Sequence, residues 1–297
     1  MTAASPPGKS PARPRPAILR ALGAEDPPPH VEVDGLRYER VDIYKHDSWA
    51  ATALYAAGSR RIICKFNRRQ SFGLIPGAWI GRRLARREAH FLRRLAGVPG
   101  FPQLLGPVLV DGVKAETALA RVFIAGHPLE SRERTDDDFF PALGRLLAEL
   151  HSRGIAYVDL HKRENVLVGE DGRPHLIDFQ VSFDATTAPR LFAPAARRLF
   201  QSLRSMDEYH RLKLLLRCRP DQADASTADL AKHRPRLVRW HRVFAEPLRS
   251  VRRKLLTLLG VRRDKGRAES EVFAEAALRV PTSDQEARHE ATRSRAA

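Results

Sequence analysis

The residues best able to do chemistry together lie in one segment, LLAELHSRGIAYVDLHKRENVLVGEDGRPHLIDFQVSF. A helical stretch closes at Gly154, and a short apolar run leads to Asp159. A polar loop then reaches Asn165, VLV reads as a strand, and Glu170-Asp171-Gly172 as a turn. HLID reads as the returning strand, ending at Asp178. A hairpin flanked by Asp159, Asn165 and Asp178 places one carboxylate base and two hard oxygen ligands around a point. Phosphoryl transfer to a hydroxyl needs that set: a carboxylate to orient or deprotonate the hydroxyl, and oxygen ligands for the magnesium that neutralises the phosphates. Any one of these Asp residues alone reads equally well as a turn or cap residue, and the ordered set is what points to chemistry.

The segment resembles the catalytic loop and the metal-binding Asp-Phe-Gly element of protein-kinase-like enzymes. The match runs through Asp159-Leu160, Asn165 and Ile177-Asp178-Phe179. The resemblance implies Asp159 as catalytic residue, Asn165 and Asp178 as magnesium ligands, and ATP as phosphate donor. It extends upstream: Lys65 in IICKF resembles the strand lysine that contacts the α/β-phosphates, and Glu88 in RREAHFLRRL the helix glutamate that pairs with it. LARVFIAGHPL resembles the segment that holds adenine through main-chain groups, here of Val122 and Ile124, although it also reads as a plain core strand. Asp207 in SMDEYHRLKLLL is similar to the acid that braces the catalytic loop, or else is a charge near a helix N-terminus.

The pattern is departed from in four places. Tyr157-Val158 precedes Asp159 where His-Arg is usual, and six residues instead of five separate Asp159 from Asn165, with Lys162 or Arg163 in the extra position. Gln180 follows Asp178-Phe179 where a glycine is usual. No glycine-rich loop precedes Lys65; HDSWAATALY stands there, and amides of Ser48 to Ala51 are the groups left to face phosphates. The missing arginine and the absence of an Ala-Pro-Glu segment imply no switching by loop phosphorylation. This trimmed layout is similar to bacterial lipopolysaccharide core-sugar kinases and to RIO-type atypical kinases. It implies an ATP-dependent kinase acting on a glycolipid sugar hydroxyl, or on a protein Ser/Thr hydroxyl; the missing glycines leave open a catalytically silent, membrane-docking pseudokinase module.

These residues need a scaffold, and the rest of the 297-residue chain reads as one. From Val31 come β-type runs: VEVDGLRYERVDIYK, ATALYAAG and RRIICKF, with Gly58-Ser59 as a turn. A helix is expected over 78–95, stopped by Pro99-Gly100 and Pro102. LLGPVLV and KAETALARVFIAG follow as strands around Asp111-Gly112, then a helix over 140–153. The expectation is an α+β, two-lobed fold: a small antiparallel-sheet lobe over 31–126 and a mostly helical lobe over 127–264 without a full activation segment. A proline-rich leader (1–30, in which Ile18 to Leu22 is able to form one docking helical turn) and a charged tail (265–297) flank them, both expected to be flexible.

The formal charge of +17, from 52 basic and 35 acidic residues, fits an anionic partner or a coding bias toward arginine. Two arginine-rich stretches stand out, SFGLIPGAWIGRRLARRE and the segment around Leu248, Val251, Leu255 and Leu258. The second has an apolar face that packs on the body or lies in an anionic membrane interface. No nucleic-acid-binding motif is present. Two cysteines without histidines at metal-ligand spacing argue against disulfides and zinc, and no apolar run nears the ~20 residues of a membrane helix. With no signal-like N-terminus, the expected location is cytoplasmic, with possible peripheral contact at the inner face of the membrane.

Overall fold

The computed structural model describes residues 17–71 and 76–223. The basic segment around Leu248 and the charged tail therefore lie outside the described residues.

Strands β1 (His30–Val33), β2 (Leu36–His46), β3 (Ala50–Ala57) and β4 (Arg60–Asn67) form an antiparallel meander. VEVDGLRYERVDIYK is thus a hairpin instead of one run. Asp34 and Gly35 both take positive φ (52° and 74°), which suits a two-residue turn joining Val33 to Leu36. Helix α1 (Gly77–Arg94) follows, one residue earlier at each end than expected. Next come β5 (Leu109–Val110), β6 (Val113–Lys114) and β7 (Ala118–Val122). The sheet order is β6-β5-β1-β2-β3-β4-β7. KAETALARVFIAG is split into β6, β7 and the start of β8 (Gly126–Pro128), because the chain turns where the Ala118 amide donates to the Ala115 carbonyl.

The period-two alternation of β4 decides what reaches the site. Ile62, Cys64 and Phe66 join Ala51, Ala53 and Tyr55 in one apolar layer. Ile63 and Lys65 fall on the opposite face, where Ile63 packs with Leu54 and Lys65 lies opposite Thr52 and Leu119. Helix α1 approaches that face closely: a Cβ on Gly81 would sit 2.2 Å from the Arg68 carbonyl oxygen, so any larger residue there pushes the helix away.

The second lobe has α2 (Phe139–Ser152), β9 (Ile155–Ala156), the β10 (Val166–Gly169) and β11 (Pro174–Leu176) hairpin, β12 (Phe183–Asp184) and α3 (Ala193–Cys218). Its core joins Phe91 and Leu92 of α1, and Leu95 just beyond its end, to Phe139, Leu143 and Leu147 of α2 and to Leu214 of α3. Between Asp178 and α3 lie only residues 179–192, which hold β12 and two single 3-10 turns. β11 stops at Leu176, short of the expected end at Asp178, whose φ of 61° leaves the ladder.

Residues 17–29, from the segment expected to be a flexible leader, are packed on the sheet. Ala21 and Leu22 are buried, the Ala21 amide donates to the Asp47 carbonyl, and Tyr55 Oη donates to the Pro28 carbonyl. No helix among the described residues is long and apolar enough to cross a membrane.

Candidate active site

Lys65 on β4 and Glu88 on α1 are 9% and 2% exposed, and Lys65 Nζ donates to Glu88 Oε2 at 2.9 Å. The same ammonium donates to Asp178 Oδ1 at 2.8 Å. Burial works against the charge on Lys65, but the flanking carboxylates of Asp178 and Glu88 outweigh it and raise its pKa. For Asp178 burial acts to raise the pKa, and the Lys65 ammonium holds it well below the usual carboxylate range. Burial raises Glu88, with Lys65 opposing.

On the catalytic-loop side, Asn165 Nδ2 donates to Asp159 Oδ2 at 2.8 Å, which fixes the amide, and its Oδ1 has no hydrogen-bond partner among the described residues. Lys162 Nζ reaches the same Asp159 oxygen at 2.7 Å. The extra loop residue therefore does not displace Asn165 from Asp159; it accommodates a lysine ion-paired to the carboxylate. Lys162 was not singled out in the sequence as a site residue; its cue is the three-residue spacing from Asp159 across a turn in which the Lys162 amide donates to the Asp159 carbonyl. Its own pKa is raised, because Asp159 outweighs the effect of burial.

The loop is held from beneath by Asp207, which is 0% exposed. Its carboxylate accepts the Tyr157 amide at 2.8 Å, the Val158 amide at 2.7 Å and a contact from His151 Nε2 at 3.1 Å. Val158 has φ 71°, a left-handed conformation that a β-branched residue adopts only under constraint, and Asp207 supplies the constraint. Tyr157, standing in the usual histidine position, donates its hydroxyl to the Ile177 carbonyl and packs edge-on against Phe179 at 5.2 Å. Phe179 also meets Phe91 of α1 and Phe101, so one aromatic cluster links α1 to both loops. Gln180, where a glycine is usual, donates its side-chain amide to Asn67 Oδ1, and its carbonyl accepts Arg87 Nε at 2.7 Å.

Two expectations need correction. The Val122 amide donates to the Gln103 carbonyl at 2.9 Å, so Val122 keeps only its carbonyl to offer an adenine. The main chain of Ile124 makes no hydrogen bond among the described residues and retains both groups. Second, the turn before β3 does not present a free row of amides. Asp47 Oδ1 accepts the Trp49 amide at 2.7 Å and the Ala50 amide at 2.9 Å, and Lys45 pairs with the same carboxylate. Without glycines the turn closes on its own aspartate.

Asp184 on β12 ties α1 to the loop after Asp178. It accepts from His90 at 2.9 Å, from Arg94 and from Thr186. Burial would raise its pKa, but those donors bring it down to about 2. A depressed carboxylate stabilises the fold above its unfolded value of about 4, and the contribution is lost as pH falls toward 2. The expected difference in urea-unfolding free energy between wild type and Asp184→Asn is about 2 kcal/mol at pH 6, shrinking steadily below pH ~4. A gap unchanged at pH 2.5 would show that the ion pair contributes nothing.

The donor set fits magnesium and a nucleotide. Asp178 and Asn165 Oδ1, the latter without a partner among the described residues, are hard oxygens, a pair of protein ligands being usual where phosphates complete the shell. Ile124 offers both main-chain groups at the end of β7.

The arrangement is an α+β fold: a seven-stranded antiparallel sheet followed by a mainly helical second half. No protein-family model and no curated protein matches this sequence. Among solved structures the chain is similar to the Rio2 kinase-ADP/Mg2+-phosphoaspartate complex from Chaetomium thermophilum, at 15% identity over 62% of this chain and 58% of that one, with a TM-score of 0.43. It is also similar to the Rio2 kinase from the same organism, at 15% identity over 62% of this chain and 60% of that one, with a TM-score of 0.42. The match spans about three fifths of those structures' length.

Proposed function

We propose that the chain is an ATP-dependent phosphotransferase acting on a hydroxyl. The observation that carries this reading is the double pairing of buried Lys65 with Glu88 and Asp178, opposite the Asp159–Asn165 contact. Bound magnesium-ATP supplies the phosphoryl group and the charge that organises it. Asp178 and Asn165 are the residues to hold the metal, and Lys65, kept in place by Glu88, the residue to contact the phosphates. Lys65, which donates to Asp178 in this structure, would contact phosphate oxygens, and Asp178 would then be available to the metal. The Val122 carbonyl and the Ile124 main chain are assigned to the adenine. Asp159 accepts a hydrogen bond from the acceptor hydroxyl and takes its proton as transfer proceeds. Lys162 holds the Asp159 carboxylate in place in the resting state.

The acceptor we favour is a sugar hydroxyl of a glycolipid such as lipopolysaccharide, supported by the arginine-rich outer face of α1 beside the site. A protein Ser/Thr hydroxyl is the alternative. Purified chain with labelled ATP is to be incubated separately with lipid-sugar and protein extracts. Label in the lipid-sugar fraction is expected, and label confined to protein would replace the glycolipid acceptor with a protein one. The second reading, a catalytically silent module, rests on Asp47 occupying the amides of the phosphate-facing turn. Magnesium-dependent ATP binding with no transfer to any acceptor would establish it.

A further inference from the structure

Helix α1 buries Gly81, Ala85, Glu88 and Leu92 on one side. At 100° per residue its opposite side carries Trp79, Arg82, Arg83, Arg86, Arg87 and His90. With Phe183, Asp184 and Thr187 these residues line a cleft of about 500 Å³. Solvated helix faces ordinarily mix both signs of charge, and like charges four residues apart, as in Arg82/Arg86 and Arg83/Arg87, destabilise a helix.

The cleft's charge is not balanced from within. Its one carboxylate, Asp184, is engaged by His90 and Arg94. Arg82, Arg83 and Arg86 make no hydrogen bond or ion pair among the described residues. Arg87 donates to the main-chain carbonyls of Gln180 and Ser182, lies over the Phe91 ring at 5.6 Å and feels Asp184 only at a distance, with no ion pair among the described residues. Glu116, which feels Arg82 and Arg86, is ion-paired to Lys114 at 2.8 Å. Four guanidinium groups around a concavity, three of them without a partner among the described residues, match the forked recognition of phosphate oxygens. Trp79, 55% exposed, and Phe183 provide an apolar border suited to the body of a sugar.

We propose that this cleft is a second site, which binds the phosphate group of a phosphorylated acceptor through Arg82, Arg83 and Arg86. It rests on the phosphotransferase reading for the word acceptor and on the cleft alone for anion binding. The cleft is joined to the catalytic loop on both sides. Phe183 pairs with Ala156, from which the chain runs through Tyr157 to Asp159, and Arg87 is the neighbour of Glu88.

The test titrates inorganic pyrophosphate into the full chain, followed by calorimetry, for wild type, Arg83→Glu/Arg86→Glu, Arg83→Gln/Arg86→Gln and Lys65→Met. Circular dichroism checks folding, and the glutamine pair serves if charge reversal unfolds the helix. Binding at least tenfold weaker in the Arg83/Arg86 variants and retained in Lys65→Met is expected, with affinity falling as salt rises. Equal binding by all variants, or loss in Lys65→Met alone, would overturn the site. The same variants are then mixed with phosphatidylglycerol vesicles and with single-stranded RNA. Loss of either interaction with pyrophosphate binding unchanged would make this face a lipid or nucleic-acid surface and refute the proposal. Arginine-dependent pyrophosphate binding in a protein that transfers no phosphate would keep the anion site and remove the phosphotransferase reading instead.

Discussion

Asp178→Asn is expected to lower phosphoryl transfer by about 10³-fold or more, while the protein stays folded and still binds the adenine end of the nucleotide. Asp178 is the carboxylate that Lys65 holds ionised, and an amide at that position keeps the shape but neither the charge nor the affinity for a divalent cation. The substitution leaves Lys65 bonded to Glu88 at 2.9 Å, so the buried ammonium is not orphaned. Metal-dependent positioning is therefore lost with little loss of stability. Turnover and nucleotide affinity measured side by side separate the two. A fall of less than tenfold in turnover would remove Asp178 from the metal-binding role.

The second large effect falls on stability. Asp207→Ala is expected to destabilise the protein by about 3–5 kcal/mol, because it strands the buried Tyr157 and Val158 amides and the His151 ring together. The same change releases Val158 from its left-handed conformation, so Asp159 loses its fixed direction. Activity at a temperature where the variant is still folded should fall as well. Asp207→Asn, which accepts one amide and opposes the other, should lie between the two. An alanine variant with a wild-type urea midpoint would show that the loop is held by other contacts.

Much of this frame was readable from residue order. Lys65, Glu88, Asp159, Asn165 and Asp178 each sit beside apolar strand or helix patterns, and those patterns alone determine which face a side chain takes. The alternation around Lys65 and the helical spacing around Glu88 direct both into one interior, where they meet at 2.9 Å. Asp207 was readable only as two alternatives, because a brace depends on where α3 lies relative to β9, and no local pattern encodes that distance. Lys162 and Gln180 act through side chains on turns, where spacing is irregular. The Asp47 closure was missed for a related reason: its contacts with the Trp49 and Ala50 amides form only once the β2–β3 register is set. The packing of residues 17–29 rests on main-chain bonds, such as Arg40 N–H to the Pro29 carbonyl, that a proline-rich composition does not reveal.

The central claim concerns chemistry at Asp159, and one measurement bears on it most directly. Wild type and Asp159→Asn are given γ-labelled ATP with magnesium and a mixed lipid-sugar and protein extract, and transferred label is counted. The account predicts magnesium-dependent label in acceptor with the wild type and a loss of at least ~10²-fold with Asp159→Asn at unchanged ATP affinity. Equal transfer by the two proteins, or ATP binding without transfer by the wild type, would contradict it.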